Sequence, residues 1–329
     1  MRQKEFLDLV RSRMVTVGDY ASLYELPVPR GTVANARRRL RADAEAAPGD
    51  ASAWAALGAA ELKVFEFTDA MTAFEKALEL DDGCLSARSG IAMCHFYCCD
   101  NENGIEAFSR VIELNPEDGT AWLYLGNMQE GMIDGPTASV EPNTDEATTH
   151  YEAALCAYQQ ACPLLRGTPG FTPLHAIMHQ ARCLATLGRW EAVTVAAREC
   201  NNMYRAHTEG TGDCGNWSNA LLLEARAFIE LERYDDAIES LQEIADSRYL
   251  RPEKRWLLLG RAHMGKKEWH RASVMLEKAM EFTADNVEIL DCLAECYSAL
   301  GRSDRVQTLE ERLAVLRGTS VIHAVEQGA

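Results

Sequence analysis

No apolar run in this 329-residue sequence is long enough to cross a bilayer; runs such as Ala220–Leu223 fall far short of the roughly 20 residues a spanning helix needs. Positive charge is scarce as well. The 33 basic residues stand against 50 acidic ones, a formal net charge of −17 and a pI near 5.0. A surface of that sign repels phosphate, so neither nucleic acid nor an anionic membrane is expected as a partner.

Leader-like features are missing too. Residues 1–13, MRQKEFLDLVRSR, have no apolar core of the secretory kind, and Glu5 and Asp8 break the acid-free character of a transit peptide. The 11 cysteines are odd in number and mostly sit inside helical patterns, which suits a reducing compartment better than a disulfide framework. The expected location is cytoplasmic.

Catalytic constellations are also lacking. No Ser-His-Asp order, carboxylate dyad or phosphate loop occurs with its supporting context, so no enzyme activity, cofactor or small-molecule substrate is expected. Gly210–Gly215 matches G-x-G-x-x-G, but helical patterns flank it where a dinucleotide site needs a strand before it, and it reads as a loop. Asn216-Trp217-Ser218 is a glycosylation sequon without a secretory signal. Cys94, Cys98 and Cys99, and likewise His175 and His179, are spaced so that each set could share a metal. Cys94, Cys183 and Cys296, however, hold the same repeat place as Ala60, Ala227 and Ala262, where cysteine serves as a small apolar filler. No metal is expected.

What the sequence does have is repetition. Glu253–Asn286 places Trp256, Leu259 and Gly260 in one helical pattern, then Trp269, Ala272, Leu276 and Ala279 in a second. The same order recurs in Ala51–Gly83, with Trp54, Leu57 and Gly58 followed by Ala70, Phe74 and Ala77. Further copies fall at Leu85–Asp118, Leu174–His207, Ser218–Arg251 and Val287–Thr319, and another begins at Gly119 with its second helix delayed to 145–165. This resembles the tetratricopeptide repeat, a helix–turn–helix unit of 34 residues. Two short amphipathic helices cannot bury their apolar stripes alone, whereas stacked copies bury a continuous core.

The resemblance implies an all-α, right-handed superhelical solenoid of tetratricopeptide-type helix pairs. Residues 1–50 are expected to form an N-terminal helical cap with a degraded half repeat, in which Asp43 stands where a small residue belongs. An array of about seven repeats fills 51–317, with loop insertions at 131–144 and 208–217, and 318–329 form a tail. In the basic run Arg37-Arg38-Arg39-Leu40-Arg41 the arginines are expected to form a solvated face.

The resemblance also implies that the first helix of each pair lines a concave groove where peptides lie. Arg182, Arg226 and Arg261 directly follow the small crossing residues Ala181, Ala225 and Gly260, so they should stand at equivalent height and suit an acidic peptide, unless each pairs with a neighbouring carboxylate. Met93, Tyr97, Leu123 and Asn127 should form a more apolar half. The clamp with which related domains hold acidic chaperone tails is not matched, since Ala55, Ala59, Gly90, Thr120 and Tyr124 stand at its positions. The expected function is a non-catalytic adaptor or scaffold for a protein or peptide partner. The alternative is a fixed subunit or assembly factor of a larger complex that uses the convex face and the insertions at 131–144 and 208–217, its groove empty or filled by the chain's own N-terminus.

Overall fold

The computed structural model describes residues 1–168, 172–208, 215–244 and 252–326; all the regular structure among them is helical. The chain divides into two compact units, Met1–Cys183 and Leu184–Ala329. In the first, α1 (Gln3–Ser12), α2 (Val17–Glu25) and α3 (Arg30–Ala46) precede three pairs. These are α4 (Ala51–Leu62) with α5 (Phe67–Leu80), α6 (Leu85–Tyr97) with α7 (Asn101–Leu114), and α8 (Gly119–Asp134) with α9 (Asp145–Leu165). The chain passes the division within α10 (Thr172–Thr186), which α11 (Trp190–Thr208) follows. The second unit continues with α12 (Gly215–Glu230) and α13 (Tyr234–Gln242), α14 (Pro252–Gly265) and α15 (Trp269–Phe282), and α16 (Val287–Ala299) and α17 (Ser303–Glu326). First helices touch the first helices of the next pair, α4 on α6 and α6 on α8 in one unit, α12 on α14 and α14 on α16 in the other.

Local chemistry sets these boundaries. Asp50 and Asp118 accept hydrogen bonds from the free backbone N–H groups that open α4 and α8, and Asn286 does so for α16. The indoles of Trp54 and Trp122 donate to the carbonyls of Pro48 and Pro116, 3.2 and 2.9 Å away, which pins the incoming chain to the first turn in both repeats. Between the two helices of a pair the backbone turns through the left-handed region. Phe65, Cys99, Glu232 and Lys267 adopt it at the same repeat position as Gly188 and Gly301, although only glycine enters it without steric cost.

The pairs lock through close approach. Phe74 of α5 is wholly buried, and its ring lies 2.6 Å from where a Cβ would stand on Gly58 of α4 and 2.3 Å from one on Gly90 of α6. The small residues of the pattern are therefore the sockets of the large ones.

Three features depart from the sequence reading. The first is at Asp43, out of place in a repeat, which pairs with Arg11 of α1, a helix packed on α3 and α4. Next, the arginines of the basic run are not simply a solvated face. Arg37 and Arg41 both bind Glu61, a carboxylate 1% exposed, and Arg41 also reaches Asp69. Finally, residues 131–134 belong to α8, and beyond them the chain folds back: the amides of Ser139 and Val140 both donate to the Met132 carbonyl at 3.0 Å, and Val140 is buried against Met132 and Ile133. The 209–214 part of the other expected insertion, with most of the G-x-G-x-x-G match, lies outside the described residues, as do 327–329 of the tail.

Candidate functional site

The first helices of the first unit present a wall, and a short helix lies on it. α2 packs against α6 and α8 and turns Val17, Tyr20 and Leu23 inward, each at most 1% exposed. The Tyr20 ring meets Phe74 edge-on at 5.9 Å, and its hydroxyl shares a 3.0 Å hydrogen bond with Ser86 of α6. Gly18 passes close to Thr120 of α8, whose Oγ1 would stand 3.1 Å from any Cβ placed there.

The ends of α2 are held by side chains that read backbone. Asp118 accepts from the Val17 amide at 2.9 Å while it caps α8, and Ser89 donates to the Val15 carbonyl at 3.0 Å. At the other end Lys63, the residue after α4, donates to the carbonyls of Leu23, Tyr24 and Leu26, all at 2.8 Å. A carboxylate at the N-terminus and an ammonium at the C-terminus complement the helix dipole. Burial lowers the Lys63 ammonium pKa from its ordinary value, and burial likewise raises the Asp118 carboxyl against the pull of the amides it accepts.

Beside the C-terminal end of α2 an aromatic cluster reaches the surface. Tyr24, Phe65 and Tyr97 lie 5.5 to 6.1 Å apart, centroid to centroid, and Phe67 stacks on Tyr97. Tyr24 is 52% and Phe65 47% exposed. Rings this close leave no central space for a cation, so the cluster is a packed apolar surface and not an aromatic cage.

No family model matches the chain. The CTR9 homolog of Arabidopsis thaliana is 22% identical over 283 residues, 85% of this chain but 24% of that protein, so the chain spans about a quarter of the length of the curated relative it matches. Among solved structures, YrrB, described as a TPR protein with an unusual peptide-binding site, superposes with a TM-score of 0.51 at 14% identity, over 67% of this chain and 97% of its own. This is a tetratricopeptide-repeat fold. Pseudomonas aeruginosa PilF aligns more loosely, at a TM-score of 0.48 and 13% identity, over 74% of this chain and 97% of its own.

The tetratricopeptide wall places the expected groove residues unevenly. Met93 is wholly buried in the same core as Tyr20, Leu23 and Phe74, and Leu123 is buried too; both are packing residues and leave the candidate surface. Tyr97 is half-exposed in the aromatic cluster. Asn127 is half-buried and accepts from the Tyr158 hydroxyl at 3.0 Å.

The single proton of that hydroxyl is shared with Glu130 Oε2 at 2.5 Å; His179 Nδ1 lies 2.6 Å from the same oxygen, and Arg182 lies 4.0 Å from the other, Oε1. Burial pushes the Glu130 carboxyl up, but the His179 hydrogen bond and charge, the Tyr158 hydroxyl and Arg182 outweigh it and hold the group below its ordinary value. Arg182 thus faces a buried carboxylate of its own unit.

In the second unit Arg261 bridges Glu230 at 3.0 Å and Glu288 at 3.3 Å. Arg226 is exposed, its guanidinium 5.3 Å from the Trp190 ring, and it has no carboxylate partner among the described residues. The three arginines therefore differ: two face carboxylates and one stacks on an indole.

Sequence reasoning held the chain's own N-terminus as one possible occupant of the groove, but it did not resolve α2 as a helix and did not single out Lys63, Ser89 or Asp118. One sign was legible. Thr16-x-x-Asp19 is a capping box in which the Thr16 hydroxyl accepts from the Asp19 amide and Asp19 reaches back to the Thr16 amide, which marks a helix start just after Val15.

Proposed function

We propose that this chain is a non-catalytic adaptor or scaffold that holds a segment of another protein on the first-helix faces of its pairs, working in the cytoplasm. The supporting observation is the wall of the first unit, which binds a short helix through side chains directed at its backbone ends and an apolar face between them. YrrB, of the same fold, is described as having a peptide-binding site. In the second unit Arg226 on its Trp190 platform is the polar contact, offering a fork of donors to a carboxylate or phosphate of the partner.

Affinity capture with mass spectrometry, comparing wild type with Arg226→Ala, tests this reading. A charge-assisted hydrogen bond contributes about 1.5–3 kcal/mol, so the variant should lose roughly tenfold or more of its affinity for an acidic partner while its helical circular dichroism is unchanged. Undiminished capture removes Arg226 from the site, and no captured protein at all removes the adaptor reading.

A second reading, a fixed subunit that uses other faces, is favoured by the complete burial of Val17, Tyr20 and Leu23 on the wall. It predicts a stoichiometric partner that comigrates in size exclusion and does not exchange.

A further inference from the structure

Resting on the adaptor reading, we infer that the α4–α6–α8 wall of the first unit is a receptor for a short amphipathic helix of a partner protein, with α2 as its resident and displaceable occupant. α2 spans 9 residues, too few to hold a helix alone in water, so its helical form depends on the wall. It also stands apart from the repeats. On one side Arg13–Thr16 join it to α1, which has its own anchors in Phe6, Leu7 and Val10 and in the Arg11–Asp43 pair. On the other, Leu26–Pro29 carry two prolines that stop either helix from continuing across the junction. α2 can therefore leave the wall without unwinding α1 or α3.

The contacts define what would replace it. Asp118 takes a free N-terminal amide and Lys63 takes C-terminal carbonyls, and these groups exist in any helix of this length whatever its sequence. Selectivity comes from the buried face: an apolar residue, a small residue against Thr120, an aromatic ring for the Phe74 and Ser86 pocket, and a leucine three residues on, as in Val17, Gly18, Tyr20 and Leu23. The fitting partner is a helix of pattern apolar–small–x–aromatic–x–x–leucine. Because α2 is tethered at both ends, its effective concentration at the wall is of the order of millimolar, and a free helix must compete against that.

The test uses the full chain and a fluorescent peptide of residues 14–27, MVTVGDYASLYELP. Tyr20→Ala with Leu23→Ala should release α2 and bind the peptide at least ~10-fold tighter than wild type, and adding Lys63→Ala should weaken that binding several-fold. A double variant with wild-type circular dichroism that takes up no peptide, or one indifferent to Lys63→Ala, overturns the inference. So does a domain-swapped dimer in light scattering, which would give the wall to a second copy. If the double variant loses its helical signal, hydrogen exchange of the wild type decides: α2 amides that open well before those of α4 and α6 support the inference, and a common slow rate overturns it. Capture of a partner by wild type without peptide uptake sinks the inference alone, whereas failed capture sinks the adaptor reading with it.

Discussion

At the scale of single residues, the fold turns on atoms that are absent. Gly90 sits in a helix, where alanine is intrinsically better by about 0.8–1 kcal/mol. Its missing Cβ, however, is the space taken by the Phe74 ring, 2.3 Å from where that carbon would stand. Overpacking a core of this kind costs about 1–3 kcal/mol, so the steric term wins. Gly90→Ala should destabilise the first unit by roughly that amount in urea unfolding, and a variant as stable as wild type would contradict the socket argument. The sequence reading named Gly90 only as a residue that fails the chaperone-tail clamp, and its part as the socket of Phe74 is visible only in the packing. The burial of Met93 and Leu123 was likewise not legible: periodicity gives the spacing of a helical face, and not whether that face is packed over.

At the scale of elements, a buried carboxylate ties α8, α9 and α10 together through Glu130, Tyr158 and His179. The folded pKa of Glu130 lies below its ordinary value of 4.5. Its stabilising contribution is therefore complete above pH 4.5 and is lost as pH falls through the lowered value. Glu130→Gln should cost about 1–3 kcal/mol at pH 7, and the gap to wild type should close as pH falls through the lowered value. Glu224 of α12 behaves in the opposite sense. Burial raises its pKa despite Arg198 and Asn201, so stability is lost as pH rises from 4.5 through the raised value, and Glu224→Gln should be neutral or stabilising at pH 7. Chemical unfolding of both variants at two pH values checks the signs, and equal losses at pH 7 would contradict them. None of this could be read in advance, because partners such as Glu130 and His179 are 49 residues apart in sequence.

The helical pairs themselves were legible from apolar spacing, small crossing residues and prolines. The prolines at 27 and 29 hid α2, a helix that stands outside the repeat. Pattern matching finds what recurs, and α2 occurs once.

At the scale of the whole molecule, the repeated helix pairs of the first unit make a wall that the chain itself covers with α2. If the wall is a receptor, a partner helix takes the place of α2 on it. Replacing Tyr97 with a benzophenone amino acid puts a photocrosslinker beside Tyr24, 5.5 Å from the native ring centroid. In the isolated chain the crosslinks should fall on residues 20–25, and with a captured partner bound they should move to a helical segment of that partner. Crosslinks that remain on α2 at full yield while the partner is bound would show that the wall does not exchange its occupant.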